Sequence, residues 1–320
     1  MPNYSILEIR EIPLNNSKIS KDSFEFYDIF ISAFNSSQRV NDVFNAVNAT
    51  HKYWIIHPEY SYGHEELPHE GECIKPTASQ ESLQVDEIFQ MIGDINNKKI
   101  CLDITGFMRH VLIFLIISLF KRGIRSVDIL YSEPIHYEKD ENTEFATKME
   151  DLVSPVQGTA IDSEITSKDH LIINIGYDHK AISQVTTFKE DASLHPIFSF
   201  PSLSPDMYQQ SAIRASKIGA VTENHDWIVQ RKFAPANNPF ATAQILTEIL
   251  KDIDKKENVY LSPLSTKAQV LGFAIFWIVE EANRDISILL PVCKEYAKET
   301  SKGIKRIWLY KLEFNYIKRS

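Results

Sequence analysis

Short runs of β-forming residues alternate with helical patterns along the whole chain, and this alternation constrains the fold more than any other feature of the sequence. In the first half, for example, a strand-like run at residues 100–104 is followed by an apolar helical run at residues 108–121. Such alternation is typical of β-α-β units, in which helices connect parallel strands. The sequence therefore predicts an α/β fold with mainly parallel sheets.

The order of elements in the first half recurs in the second half. Pro58 aligns with Pro201 in the earlier part of each half, and Tyr137 aligns with Tyr296 in the later part. The two residues of the second pair are farther apart in the sequence than those of the first pair. A single insertion near residues 204–238 explains the difference. Because each spacing holds over a whole β-α-β unit, the pattern favours an internal duplication.

We therefore predict two tandem Rossmann-like units related by a pseudo-two-fold duplication. The first unit covers residues 1–150, and the second covers residues 151–320 and carries the insertion near residues 204–238. Duplicated units of this kind pack about an approximate two-fold axis. An alternative stays open, because any chain in which strands and helices alternate gives similar spacings.

Glycine is scarce in this chain, and the scarcity limits which phosphate-binding loops it can contain. Only 10 of 320 residues are glycine, about 3%, against a usual share of about 7%. The sequence contains neither G-x-G-x-x-G nor G-x-x-x-x-G-K-[ST], which argues against an ordinary dinucleotide oxidoreductase and a P-loop NTPase. Gly106 and Gly176 lie at strand-to-helix turns, one in each half.

Charge and cysteine usage exclude further classes of protein. The formal net charge of −9 provides no global positive field for long duplex nucleic acid. The three cysteines are far apart and form no C-x-x-C pair, so neither a zinc knuckle nor a disulfide framework is predicted. We expect no metal site and no cofactor.

The longest apolar run predicts a buried helix. This run, residues 111–120, has about half the length that a membrane span needs. The first residues resemble no signal peptide, and free thiols favour a reducing compartment. We therefore expect a cytoplasmic protein that does not bind a membrane.

Candidate ligand-binding residues follow from the predicted topology. In an open parallel sheet, ligands bind outside the carboxyl ends of the strands, near the point where the strand order reverses. The turns at these ends contain hydroxyls, amides and a few cations, and each precedes a helix N-terminus, which favours an anionic ligand. The candidates are Asn35, Arg39, Asp103, Thr105, Gly106 and Arg109 in the first half, and Tyr177, Asp178, His179, Ser265, Thr266 and Lys267 in the second.

Two of these turns have alternative interpretations. Ser265, Thr266 and Lys267 suit a phosphate contact, but they equally suit a plain helix cap followed by an exposed lysine. Asp103 could pair with Arg109, or it could cap the helix that follows. The spacing of these residues does not decide between the alternatives.

Four titratable residues near the same turns could supply acid–base chemistry if the fold brings them together. These candidate catalytic residues are His57, Glu59, Glu133 and His136. A general base or acid must lie within hydrogen-bond reach of the proton that it transfers. The four residues therefore leave an enzymatic function open.

In two places a strand runs into a turn containing Gly, Thr or Lys and then into an apolar helix. These are residues 102–108, Leu-Asp-Ile-Thr-Gly-Phe-Met, and residues 261–267, Leu-Ser-Pro-Leu-Ser-Thr-Lys. They resemble the phosphate-side turn of CRISPR-associated Rossmann-fold (CARF) sensors and of the related tandem SAVED domains. The first copy lacks the lysine and the second lacks the glycines. The likeness covers a short stretch around each turn, together with the order of elements.

The resemblance implies a cyclic or linear oligonucleotide bound in the crevice between the two units, and a role in antiviral defence. It places Thr105, Arg109, Thr266 and Lys267 near the phosphates of that ligand. No separate nuclease, protease or membrane effector, which sensors of this group commonly carry, is visible in the chain.

We predict a sensor or accessory protein that binds a small anionic, nucleotide-type ligand. A protein partner or a homodimer is compatible with this function. One alternative is a phosphodiesterase-like or transferase enzyme that acts at the same crevice. A further alternative is a protein-interaction subunit whose site is vestigial.

Overall fold

The computed structural model describes residue 4 and residues 7–15, 18–137, 146–161, 168–216 and 231–318. The chain forms two compact units. The first unit consists of Ile6–Lys148 together with Cys293–Ser320, and the second consists of Met149–Val292 together with Met1–Ser5. The C-terminal segment, which the sequence prediction assigned to the second unit, thus belongs to the first.

The described residues form seventeen strands and eight α-helices. The strands are β1 (Ile9–Ile12), β2 (Leu14–Asn15), β3 (Lys18–Ile19), β4 (Tyr27–Ala33), β5 (Ala49–Ile55), β6 (Glu72–Ile74), β7 (Ile100–Asp103), β8 (Ser126–Glu133), β9 (His136–Tyr137), β10 (Ala146–Pro155), β11 (Asp169–Ile175), β12 (Ser193–Ser199), β13 (Lys232–Ala234), β14 (Asn258–Pro263), β15 (Ile286–Tyr296), β16 (Ser301–Lys302) and β17 (Arg306–Glu313). The helices are α1 (Gln38–Ala46), α2 (Glu81–Ile92), α3 (Arg109–Lys121), α4 (His179–Phe188), α5 (Met207–Ser216), α6 (Pro239–Leu250), α7 (Lys267–Glu280) and α8 (Phe314–Lys318).

The first sheet has seven strands in the order β1-β17-β8-β7-β4-β5-β6. The five strands from β8 to β6 run parallel, whereas β17 and β1 add two antiparallel strands beside β8. The chain proceeds from β4 to β5 and β6, and then returns to the other side of β4 at β7. The strand order therefore reverses between β4 and β7.

The second sheet has six strands in the order β10-β15-β14-β11-β12-β13. The five strands from β15 to β13 run parallel. The chain proceeds from β11 to β12 and β13, and then returns to the other side of β11 at β14. The order of these five strands is thus the same as that of β8-β7-β4-β5-β6 in the first sheet, and it reverses between β11 and β14.

Continuous apolar segments build the core of each unit. Strand β4 is buried along most of its length, as expected when helices cover both faces of a parallel sheet. Helix α1 packs Phe44 against Phe30 and, in a stacked arrangement with ring centroids 3.7 Å apart, against Trp54. Full burial of one such side chain contributes about 1.5–3 kcal/mol.

Helix α7 is buried along most of its length, and helix α3 buries most of the apolar residues between Val111 and Leu119. The apolar run at residues 111–120 lies inside α3, as predicted. Within the described part of the chain, no helix has both the length and the apolar character required to cross a membrane.

The α/β class and the mainly parallel sheets are confirmed. The edge strands β6 and β13 were not predicted, because each is only three residues long and lies in a segment that the sequence prediction left as a connection. In the second half, that connection also contains helix α5, and residues 217–230 of the predicted insertion lie outside the described residues.

Candidate functional site

Polar residues gather at the carboxyl ends of β4, β7 and β8, next to the reversal of strand order in the first sheet. We call this group the carboxyl-edge cluster; it consists of Asn35, Ser37, Arg39, Asp103, Thr105 and Ser132. In α/β sheets the crevice at such a reversal is the usual ligand site. All of these residues except Ser37 and Ser132 were predicted as site residues, and the fold brings them together.

Asp103 organises the turn after β7. It is fully buried, and it accepts hydrogen bonds from the Ser32 hydroxyl at 3.0 Å and from the Thr105 backbone N–H at 3.0 Å. The Thr105 hydroxyl oxygen in turn accepts from the Ser132 backbone N–H at 3.0 Å. Burial raises the pKa of Asp103, and the hydrogen bonds and the positive charge of Arg39 offset part of that rise.

Arg39 is the buried cation of the cluster. It lies in the first turn of α1 with 8% of its surface exposed, and its guanidinium donates through Nη1 to the Ser132 carbonyl oxygen. Its Nε has no hydrogen-bond acceptor among the described residues. The guanidinium therefore keeps an unused N–H donor in a site shielded from water.

Two buried hydroxyls beside Arg39 are also without partners. Ser37 is the N-cap residue of α1, yet its side chain makes no capping hydrogen bond. Neither Ser37 Oγ nor Ser132 Oγ has a hydrogen-bond partner in the described part of the chain. Most buried polar atoms in proteins are satisfied, so these hydroxyls mark unused capacity to bind a ligand.

Neither proposed role of Asp103 matches the geometry. Arg39 is the cation that acts on its carboxylate, and Arg109 donates to the Tyr296 hydroxyl at 3.2 Å. Asp103 does not cap α3, because the N-cap residue is Met108, which makes no side-chain capping bond.

Tyrosine side chains lie beside the cluster. The Tyr60 hydroxyl donates to the Gly106 carbonyl oxygen at 3.1 Å. The Tyr60 ring centroid is 5.7 Å from that of Tyr62 and 6.0 Å from that of Tyr296. Tyr60 is buried, whereas Tyr62 and Tyr296 are half-buried. These rings offer apolar surface next to the cationic site.

Two of the four candidate catalytic residues come close together. Gln84 joins them: its amide oxygen lies 2.7 Å from His57 Nδ1, and its amide nitrogen donates to Glu59 Oε1 at 3.2 Å. Glu59 Oε1 is also 3.2 Å from His110 Nε2. We call His57, Gln84, Glu59 and His110 the His110 relay.

The other two candidate catalytic residues lie elsewhere. Glu133, at the end of β8, accepts a hydrogen bond from Trp308 Nε1 at 2.5 Å, and burial raises its pKa. His136 is exposed in β9, where it pairs with Lys302 of β16.

In the second unit, two predicted site residues cap helices. Thr266 is the N-cap of α7 and accepts a hydrogen bond from the Gln269 backbone N–H at 3.2 Å. Asp178 is the N-cap of α4 and accepts from the Ala181 backbone N–H at 3.1 Å. For Thr266 the structure therefore shows the capping role that the sequence left open.

The remaining residues of these turns differ in burial. Ser265 Oγ lies 2.9 Å from Ser199 Oγ. Tyr177 is half-buried and accepts through its carbonyl oxygen from Arg214. His179 is exposed, and Lys267 is half-buried at the start of α7.

Several residues of the first unit escaped the sequence analysis. Ser37 follows the predicted Asn35 within a typical N-cap segment, and His110 follows the predicted Arg109, so proximity in sequence could have indicated both. Gln84 carries no such signal, because only the fold brings it to His57. Tyr296 was identified as the counterpart of Tyr137, but only the fold brings it to Arg109.

No protein-family model matches the sequence, and no curated protein matches it with significant similarity. Among the described residues, no three His, Cys, Asp or Glu side chains are arranged to hold a metal ion. The functional argument therefore depends on the geometry of the carboxyl-edge cluster.

Proposed function

We propose that this protein binds a small phosphorylated ligand of nucleotide type at the carboxyl-edge cluster, and that it acts as a sensor or accessory protein. One observation carries the proposal. Arg39 is more than nine-tenths buried at a helix N-terminus, and its Nε donor has no acceptor in the described residues.

The electrostatics of the cluster favour an anion. A buried donor without an acceptor costs about 1–3 kcal/mol, and more when it is charged. A phosphate oxygen would supply that acceptor through a charge-assisted hydrogen bond. The backbone N–H groups at the start of α1 would add to the attraction, and the hydroxyls of Ser37 and Ser132 could donate to the same group.

The neighbouring tyrosines favour a ligand that also carries a ring. Tyr62 and Tyr296 are half-buried and adjacent to buried Tyr60. Stacking of a nucleobase on an aromatic side chain contributes about 1–3 kcal/mol. A site that accepts a phosphate beside a flat apolar group suits a nucleotide better than an inorganic anion.

We also propose that the two sheets are duplicated Rossmann-like units. Five parallel strands have the same order in both sheets, which supports the duplication and the resemblance to CARF and SAVED domains. The turns that follow β7 and β14 are the two turns on which that resemblance depends.

Ligand titration of the purified full chain tests the proposal. Isothermal calorimetry is run with inorganic phosphate, adenosine and guanosine mono- and triphosphates, cyclic dinucleotides and cyclic tri- and tetranucleotides. We expect at least one nucleotide to bind more tightly than inorganic phosphate. Arg39→Gln should weaken that binding at least tenfold, which corresponds to about 1.4 kcal/mol.

The matched control is Arg125→Gln. Arg125 is exposed and precedes the first residue of β8, at the opposite end of the strand from Ser132, so its replacement should leave affinity unchanged. Arg39→Lys, which keeps the charge but loses the Nε donor, should bind with intermediate affinity. Absence of binding by every compound, or equal weakening by Arg39→Gln and Arg125→Gln, would show the proposal to be wrong.

A further inference from the structure

The His110 relay has a fixed direction of hydrogen bonding. The Met108 backbone N–H donates to His57 Nε2 at 3.4 Å, so this nitrogen carries no proton. His57 Nδ1 is therefore the protonated nitrogen, and it donates to the Gln84 amide oxygen. The Gln84 amide nitrogen then donates to Glu59 Oε1. This chain of donors leaves Glu59 as the common acceptor.

His110 completes the relay from the other side. Its Nε2 lies 3.2 Å from Glu59 Oε1 and 3.2 Å from the Ser79 carbonyl oxygen. Both partners are acceptors, so Nε2 carries the proton, and Nδ1 is the nitrogen with the free lone pair. His110 Nδ1 makes no hydrogen bond to another described residue.

Glu59 and His110 differ in burial, as expected when a buried carboxylate orients an imidazole that can reach a ligand. The Glu59 side chain is 2% exposed, whereas 27% of the His110 side chain is exposed. Burial raises the pKa of Glu59, but the hydrogen bond from His110 and the nearby imidazoles more than offset this and leave it below its ordinary value. A buried carboxylate thus orients an imidazole that is itself partly exposed, as in a base–orienter pair.

The relay and the carboxyl-edge cluster share one short segment. In the 3-10 turn Pro58–Tyr60, Glu59 bonds to His110 and Tyr60 bonds to Gly106. Arg109 directly precedes His110 at the start of α3. The acid–base group and the cations therefore lie at the same edge of the first sheet.

We propose that His110 is a catalytic residue that hydrolyses a phosphodiester bond of the nucleotide-type ligand, with Glu59 as its positioning residue. This inference rests on the proposed function.

The reaction balances without a further reactant. His110 Nδ1 takes a proton from water while the water oxygen forms a bond to phosphorus. The bond between phosphorus and the leaving oxygen breaks, and the leaving oxygen receives the proton from His110. The products are a phosphate monoester and an alcohol. Arg109 and the N-terminus of α3 would stabilise the negative charge that builds up on the phosphoryl oxygens.

The test combines hydrolysis and binding in the same samples of full chain. Hydrolysis of bis(4-nitrophenyl) phosphate is followed between pH 5.5 and 9, and inorganic phosphate binding is measured by calorimetry. His110→Gln retains an N–H that can donate to Glu59 but cannot transfer a proton. We expect kcat/KM to fall at least 100-fold in this variant, whereas phosphate affinity changes less than threefold.

Glu59→Gln separates positioning from structure. Glu59→Gln keeps an oxygen that can accept from His110 Nε2 but loses the negative charge, so kcat should fall at least tenfold while KM changes less than threefold. The matched control is His51→Gln, since His51 is an exposed residue of β5 and its loss should leave the rate unchanged.

The outcomes distinguish this inference from the proposed function. Phosphate binding that depends on Arg39, without release of nitrophenol, would overturn catalysis and leave the binding function intact. A His110→Gln rate within threefold of wild type would also overturn it. Absence of phosphate and nucleotide binding would refute the proposed function itself.

Discussion

Gly106 lies so close to strand β4 that a Cβ atom added to it would be 2.0 Å from the Ala33 carbonyl oxygen. The second sheet has a similar close approach on the opposite strand: a Cβ atom at Gly176, directly after β11, would be 2.2 Å from the Leu264 carbonyl oxygen. Both contacts join the two strands between which the strand order reverses. Glycine therefore occupies the two positions where backbones meet at the edge that carries the candidate sites.

Gly106→Ala should destabilise the first unit by about 1–3 kcal/mol, because the methyl group meets backbone that cannot rotate away. Urea unfolding followed by circular dichroism measures the effect. Gly63→Ala is the control, since its Cβ would meet only the end of the Glu66 side chain, at 3.4 Å, and should change stability by less than about 0.5 kcal/mol. Equal midpoints for the two variants would contradict the close approach.

The N-cap residues of α7 and α1 should respond differently to loss of their hydroxyls. Thr266 caps α7, so Thr266→Ala should cost about 1 kcal/mol of unfolding free energy. Ser37 makes no capping bond, so Ser37→Ala should change stability by less than about 0.5 kcal/mol and should weaken phosphate binding. Denaturant unfolding and calorimetry measure the two properties. A large loss of stability in Ser37→Ala, with unchanged binding, would show that its hydroxyl is structural.

Glu133 should make stability fall as the pH rises. Burial raises the pKa of this carboxyl, and the hydrogen bond from Trp308 and the charges of Arg306 and Lys305 offset only part of the rise. Ionisation therefore costs more in the folded chain than in the unfolded chain, and the contribution of Glu133 is lost as the pH rises from its ordinary value of 4.5 through its folded pKa.

Glu133→Gln keeps an oxygen acceptor for Trp308 Nε1 and removes this titration. We expect the variant to be more stable relative to wild type at pH 8 than at pH 5, as measured from urea midpoints. Glu65→Gln, at an exposed position, provides the control. The same difference from wild type at both pH values would count against the titration of Glu133.

His170 should make stability fall as the pH drops. Its Nδ1 lies 2.9 Å from His195 Nε2, and its Nε2 lies 2.9 Å from Glu257 Oε2. Burial lowers the pKa of His170, reinforced by Lys168 and Arg284 and opposed by Glu257. The unfolded chain thus binds the proton first, and stability is lost as the pH falls below the ordinary value of 6.5.

His170→Gln should reduce the loss of thermal stability between pH 7.5 and pH 5.5, although it lowers the melting temperature at pH 7.5 by removing a buried hydrogen-bond partner. His51→Gln, at an exposed position of β5, is the control variant. If His170→Gln loses as much stability on acidification as wild type does, another group is responsible.

The sequence predicted some contacts of the candidate residues and missed others. Contacts between residues close together in the chain could be predicted, whereas contacts between residues far apart could not. Thr266 could be identified because a helix cap depends on residues within one turn of the chain. The environment of Arg39 could not, because Ser132 lies far away along the chain and no local pattern connects them. The pairing of Asp103 with Arg109, one of the two alternatives considered for Asp103, failed for the same reason, since the cation that acts on Asp103 is Arg39 of a different helix.

The sequence by itself determined the α/β class and the parallel strands, and it indicated the turns where we propose the site, because hydrophobic periodicity and turn composition are local properties. Only the tertiary structure decided that the C-terminal strand β17 completes the first sheet and that Arg39 is buried with an unused donor. It also decided that Glu59 meets His110. These contacts depend on packing between residues far apart in the chain, and the free energy of that packing is not encoded in any short stretch of sequence.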